Sequence, residues 1–133
     1  HDLGLSPWPA DDEICDVPWK ARGKRMNEMM EMIRGLSTGE VYRHDGEMFQ
    51  LRSIKMSPAP TEPIPLLVGG HSDAALRRAV TLGDGWMHAG GDQHELETMI
   101  ARIHAMRKEL GLEHRPFEIH AASYLALTPD GLR

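Results

Sequence analysis

Short apolar runs alternate with helical patterns in the second half of the chain, and this alternation constrains the fold more than any other feature. Three such runs occur: IPLLV at 64–68, DGWMHA at 84–89 and FEIHAASYLAL at 117–127. A continuous apolar run bounded by turn residues is typical of a strand that is buried on both faces of a parallel sheet. Because strands separated by helices pair in parallel through right-handed crossovers, residues 63–127 are predicted to form a βαβαβ core.

Capping residues mark the two helices between these strands. Ser72 is placed to cap the first helix, DAALRRAVTL, and Gly83 is placed to end it. Asp92 is placed to cap the second helix, with Glu95 in the reciprocal position of a capping box, and Gly111 follows its last apolar residue.

The first half of the chain is predicted to contain one helix and one hairpin. Prolines make residues 1–19 an irregular lead-in, although Leu3–Leu5 resembles the end of a strand. Apolar residues at spacings of three and four predict a helix over 20–36, with its methionines facing the core. Residues 40–56 predict a hairpin, and the dipeptide Asp45-Gly46 favours a tight type I′ turn.

Together, these predicted elements form a single domain over residues 1–133. Thr128 and Pro129 suggest that a further helix starts within residues 128–133.

Two glycine pairs follow the first two strands of the predicted core. Gly69-Gly70 ends one apolar run and Gly90-Gly91 follows the next, so both pairs are expected at the carboxyl edge of the sheet. Glycine lets the backbone approach a ligand, and a helix that starts directly afterwards directs free N–H groups at the same point. The pattern therefore favours a phosphate site to which Ser72 adds a hydroxyl. The alternative is that both pairs only turn the chain.

Eight histidines raise the question of a metal site. They show no HExxH pair and no cysteine partners at zinc spacing, and most are expected at the surface. His71, His88 and His120 lie in or just after predicted strands, which would let them face one pocket of a metal-dependent hydrolase. The alternative, favoured for His120, is a buried imidazole with its hydrogen bonds satisfied. Trp86 either fills the core or lines a pocket.

Composition argues against several classes of partner. The formal net charge of −5 disfavours nucleic acid, and no run approaches the length of a membrane helix. The single cysteine, Cys15, excludes an internal disulfide, and we expect a cytoplasmic protein that binds neither nucleic acid nor membrane.

Three segments together resemble the luciferase-like monooxygenases, which are flavin- or deazaflavin-dependent (β/α)8 barrel enzymes. The segments are RGKRMNEMMEMIRGL, TGEVYRHDGEMFQL and PAPTEPIPLLVGGHSDAALRRAVTLGDGWM. The resemblance implies an α/β fold, about half of a (β/α)8 TIM barrel with parallel strands, crossover helices and an inserted β-hairpin. It implies either coenzyme F420 or FMN as cofactor, with hydride transfer or oxygen activation on a small-molecule substrate.

The resemblance also implies which residues hold the cofactor phosphate. They are Gly69, Gly70, His71 and Ser72 after one strand, and Ala89, Gly90 and Gly91 after the next. No catalytic residue is assigned, because the stretch GLSPWP, where some relatives carry a catalytic acid, has no acid before Asp11.

A half barrel would leave two open sheet edges and an apolar inner face. We therefore expect self-association, such as a dimer, or a missing amino-terminal half of the barrel. A different class of function also stays open: a non-catalytic half-barrel module that binds a phosphorylated ligand or a protein.

Overall fold

The computed structural model describes residues 2–5 and 8–122, and these residues form two compact units. One unit holds Leu5–Leu66, and the other joins Asp2–Gly4 to the chain from Leu67 onward. That the two units belong to one barrel domain stays a prediction. In chain order the elements are β1 Asp2–Leu3, α1 Pro9–Ile14, α2 Arg22–Ser37, β2 Tyr42–Asp45, β3 Gln50–Ile54, β4 Leu67–Gly69, α3 Asp73–Leu82, β5 Gly85–His88, α4 Gln93–Glu109 and β6 Glu118–Ala121.

The second unit is a parallel sheet with its crossover helices. The strand order is β1-β4-β5-β6, and each neighbouring pair is parallel. The predicted βαβαβ alternation and the parallel pairing are therefore confirmed over the described residues. The α/β class is confirmed with them. Closure of the sheet into part of a (β/α)8 barrel stays a prediction.

Strand β4 is shorter than the sequence predicts. It begins at Leu67, whereas the apolar run begins at Ile64. Pro63 and Pro65 explain the difference, because proline has no N–H to donate to a sheet ladder. The end of the strand at Gly69 agrees with the expected position of the turn.

The two crossover helices begin where their caps predict. The first, α3, runs from Asp73 to Leu82, as the sequence pattern indicates. The second, α4, ends at Glu109, and Gly111 adopts φ +67° just beyond it. The core residues of this unit include Leu67, Val68, Leu76, Ala79, Trp86 and Ile103.

In the first unit, α2 begins at Arg22 and ends at Ser37. Strands β2 and β3 form the expected antiparallel hairpin. The predicted type I′ turn at Asp45-Gly46 is wrong: Asp45 pairs with Gln50, and neither residue of the dipeptide has positive φ.

The reason lies in Glu28 on α2. Its carboxylate accepts hydrogen bonds from the backbone N–H groups of Met48 and Phe49, at 2.9 and 3.0 Å. These bonds hold a wider loop, which Gly46 closes by donating its N–H to the carbonyl of Phe49.

Part of the predicted irregular lead-in is helical. A six-residue helix, α1, runs from Pro9 to Ile14. Proline at the first helical position and the acids Asp11 and Asp12 in the first turn both favour a helix start, so the expectation of an irregular segment there is wrong.

The helix start predicted within residues 128–133 and the end of the third strand, residues 123–127, lie outside the described residues. Among the helices described, none is both long and apolar enough to cross a membrane.

Candidate functional site

Both glycine segments lie at the same edge of the parallel sheet. Strand β4 pairs with β5 so that Gly69 stands opposite Met87, and the chain leaves both strands in the same direction. Gly70 therefore follows β4, and Gly90 and Gly91 follow β5, at the carboxyl edge where parallel sheets bind ligands.

Gly70 is required by the local structure of the turn. It adopts φ +112°, and a Cβ at this position would lie 2.8 Å from the Cβ of Ala75. Its carbonyl accepts a hydrogen bond from the indole Nε1 of Trp86, at 2.9 Å. Turning the chain and packing against α3 therefore account for this glycine without a ligand.

The loops lead directly into capped helix N-termini. Ser72 Oγ accepts a hydrogen bond from the N–H of Ala75 at 3.2 Å, and Asp92 Oδ1 accepts from the N–H of Glu95 at 2.7 Å. Both predicted caps are confirmed. The earlier amides of each first turn have no acceptor within their own helix, so each N-terminus presents donors and a positive dipole end to this edge.

Three rings connect the two loops. The imidazoles of His71 and His88 are stacked, with centroids 5.2 Å apart and an interplanar angle of 7°. The indole of Trp86 lies 6.2 Å from the ring of His71 and 5.6 Å from that of His88. Trp86 is fully buried, so it both fills the core and supports the site.

His88 is the most unusual polar group at this edge. Its side chain is 1% exposed, and neither ring nitrogen has a hydrogen-bond partner among the described residues. His71 is partly exposed and its Nδ1 lies 3.5 Å from Oε1 of Glu95, while its buried Nε2 likewise has no partner in the described part of the chain. Buried polar atoms are hydrogen-bonded in nearly all proteins, so these nitrogens need an explanation.

Gly91 adjoins the same group. It adopts φ +138°, and a Cβ there would lie 3.2 Å from Nε2 of His88 and 2.7 Å from Oε2 of Glu95. The second glycine pair thus brings its backbone close to His88 and Glu95. Ala89, which separates the pair from β5, is exposed.

Two acidic groups near the helix starts oppose an anion, and each lies close to a basic side chain. Asp73, the first residue of α3, forms an ion pair with Arg102 of α4. Glu95 lies beside His71, as described above. Arg102 was not identified from the sequence, and Glu95 was assigned only to the capping box. The spacing of Glu95 from Asp92 was the signal that could have placed Glu95 at this edge of the sheet.

His120 does not join the other two histidines. Its register partner is Met87, and successive strand residues point to opposite faces, so its side chain lies on the face opposite His88. It is half exposed and its Nε2 lies 2.8 Å from Oε2 of Glu118. The prediction of a buried imidazole is therefore wrong for His120. The prediction that most other histidines lie at the surface is wrong for His44, which is buried against Glu28.

The described ranges 2–5 and 8–122 contain no group of three His, Cys, Asp or Glu side chains that could hold a metal ion. Because the sheet register places His120 on the face opposite His88, the three histidines do not face one pocket. The alternative of a metal-dependent hydrolase depended on their doing so.

The donor set at this edge suits an oxygen anion such as a phosphoryl group. It combines glycine turns, two helix N-termini, the Ser72 hydroxyl and imidazole N–H groups, all of which donate to oxygen. Of the seven residues expected from the sequence, Gly69 ends β4 and the other six follow β4 or β5 at this edge. Their contact with a phosphate stays a prediction.

Comparison with known proteins identifies related chains. The family model described as luciferase-like monooxygenase matches residues 2–131. An uncharacterized protein of Mycobacterium tuberculosis is 52% identical over 131 residues, which cover 98% of this chain and 45% of that protein.

Two relatives with named activities are more distant. The F420-dependent glucose-6-phosphate dehydrogenase of Segniliparus rotundus is 29% identical over 130 residues, covering 96% of this chain and 36% of the enzyme. The pyrimidine monooxygenase RutA of Allorhizobium ampelinum is 33% identical over 109 residues, covering 79% and 30%. The chain therefore spans less than half the length of these relatives.

Proposed function

Because the chain belongs to the luciferase-like monooxygenase family, we propose that it binds the phosphate of coenzyme F420 or FMN at the carboxyl edge of its sheet. The observation that carries the proposal is the meeting of two glycine turns and two helix N-termini at that edge. A relative whose name specifies F420 dependence supports the choice of cofactor.

The residues proposed to hold the phosphate divide into two segments. Gly69, Gly70, His71 and Ser72 supply backbone and hydroxyl donors before α3, and Ala89, Gly90 and Gly91 supply backbone donors before α4. Either cofactor, when bound, provides hydride transfer, and FMN can also activate oxygen. The chain's own contribution is to fix the phosphate end and thereby orient the reactive ring.

The activity of the whole protein is proposed as oxidation or reduction of a small molecule. This segment corresponds to less than half of each relative, so we propose that it acts as part of a larger barrel or of a self-associated assembly. The proposed location is the cytoplasm. Catalytic residues are not assigned to the described chain.

The test uses two ligands that differ only in the phosphate. The polypeptide that the gene encodes is titrated with FMN and with riboflavin, following flavin fluorescence, and F420 is titrated in parallel. The variant Ala89→Asp places a carboxylate in the exposed loop after β5, where it repels a phosphate dianion. We expect it to weaken FMN binding by roughly tenfold or more and to leave riboflavin binding unchanged.

The matched control is Ala101→Asp, the same substitution at an exposed position in the middle of α4. We expect it to leave both affinities unchanged. Equal binding of FMN and riboflavin by the unmodified protein, together with no binding of F420, would contradict the proposed function.

A further inference from the structure

We infer that His88 is itself a ligand-contacting residue of this pocket, donating a ring N–H to an oxygen of the bound phosphate, and that the Glu95 carboxylate competes with that phosphate. The inference rests on the proposed function and deepens it, since it names a side chain that the glycine pattern did not include.

The first step of the argument is burial without a partner. His88 ends β5 and is 1% exposed, and both of its ring nitrogens lack a partner among the described residues. Leaving a buried polar group unpaired destabilises the folded state, so a sequence that retains it usually does so for another reason. A neutral imidazole always carries one N–H, and a charged one carries two, so the ring has a donor in either state.

The second step is direction. The Cβ position of Gly91 lies 3.2 Å from Nε2 of His88, so this nitrogen points at the backbone of the second glycine pair. That loop begins the N-terminus of α4, where an anion is favoured. The buried imidazole and the helix start therefore converge on one place from different elements.

The third step is the neighbouring carboxylate. Glu95 has one oxygen 3.5 Å from Nδ1 of His71, and its other oxygen lies 2.7 Å from the Cβ position of Gly91. A negatively charged group thus already occupies the approach to His88. A phosphate that reaches His88 must displace this carboxylate, and His71, stacked on His88, is then free to pair with the phosphate.

The test separates a ligand contact from a structural role. His88→Leu removes both ring nitrogens and keeps an apolar side chain in the core, whereas His88→Gln retains an N–H donor. The matched control is His104→Leu, a histidine on the exposed face of α4. FMN and riboflavin affinities are measured for each variant by fluorescence, and thermal unfolding is followed by circular dichroism.

We expect His88→Leu to weaken FMN binding by roughly tenfold or more, the usual effect of losing a hydrogen bond to a charged group. Riboflavin affinity and thermal stability should not fall, because an unpaired polar group has been removed from the core. His88→Gln should recover part of the loss, and Glu95→Gln should strengthen FMN binding. On addition of inorganic phosphate, the ring ¹⁵N resonances of His88 should shift, while those of His104 should not.

Three outcomes overturn the inference. One is unchanged FMN affinity in His88→Leu. Another is a parallel loss of FMN affinity, riboflavin affinity and melting temperature, which indicates a purely structural imidazole. The third is wild-type protein that neither prefers FMN to riboflavin nor binds F420, in which case the proposed function fails as well. A preference for FMN that persists in His88→Leu refutes only the role of His88.

Discussion

The imidazoles of His71 and His88 lie parallel at 5.2 Å, although one belongs to the loop before α3 and the other ends β5. Parallel pairing of β4 with β5 brings their carboxyl ends together, and the rings meet because each lies at such an end. The contact joins two segments that the sequence separates by a whole helix. It makes the glycine-rich edge one candidate site.

Removing the cap hydroxyl of α3 should destabilise the fold without altering its core. Ser72→Ala leaves the N–H of Ala75 without its acceptor, at a typical cost of about 1 kcal/mol. Urea unfolding followed by circular dichroism measures the change. The control is Thr81→Ala in the same helix, whose hydroxyl donates only to the carbonyl of Arg77, and no destabilisation is expected there. Equal losses in the two variants would contradict the capping role.

The hydrogen bond between Trp86 and Gly70 should contribute to holding the first glycine turn. Trp86→Phe removes the indole N–H, leaves the carbonyl of Gly70 unpaired and opens a small cavity. We expect a loss of about 1–3 kcal/mol in unfolding free energy. Trp8→Phe is the control, because Trp8 is 64% exposed. The prediction fails if chemical denaturation shows the same midpoint for Trp86→Phe and the unmodified chain.

Alanine at Gly91 should be more costly than alanine at another glycine with positive φ. Gly91 has φ +138° and its Cβ would crowd Glu95, whereas Gly111 has φ +67° and open space around it. We expect about 1–3 kcal/mol for Gly91→Ala and about 1 kcal/mol for Gly111→Ala. Thermal melts of the two variants provide the comparison. Adding Glu95→Ala to Gly91→Ala should restore only part of the loss, since the backbone strain persists.

The hairpin loop should loosen in acid through Glu28. The hydrogen bond from His44 lowers the pKa of this carboxyl below its usual value, opposed by desolvation and reinforced by the N–H groups of Met48 and Phe49. A carboxyl with a lowered folded-state pKa stabilises the fold above its unfolded pKa, and this contribution is lost as the pH falls through the folded pKa. Glu28→Gln should therefore be less stable than the unmodified chain at about pH 7, and the difference should shrink at about pH 3. The surface variant Glu47→Gln should show no such convergence, and equal differences at both pH values for Glu28→Gln would contradict the assignment.

Self-association of the 133-residue chain is expected from its open sheet edges. In the described sheet the end strands are β1 and β6, and an unpaired strand edge presents free N–H and C=O groups to another chain. Gel filtration with light scattering should show a dimer or larger species at micromolar concentration. A monomer with cooperative, native-like thermal unfolding would be evidence against this expectation.

Local chemistry was enough to predict the elements of the second unit. Ser72 and Asp92 identify the helix starts because their side chains accept from nearby backbone N–H groups, an interaction within one turn of chain. Alternating apolar runs and helices likewise predict the parallel sheet. Local signals misled where a distant residue intervened: Glu28 holds the hairpin loop open, so Asp45-Gly46 does not form the tight turn that the dipeptide favours.

The sequence by itself determined the order of elements from β4 to β6, the helix caps of α3 and α4 and the placement of two glycine pairs at one sheet edge, because these follow from short-range hydrogen bonding and from the topology of parallel strands. Only the tertiary structure decided that His88 is buried without a partner, that Glu95 approaches His71, and that His120 points to the other face. Those facts depend on strand register and side-chain packing between segments far apart in the chain, and no local pattern encodes them.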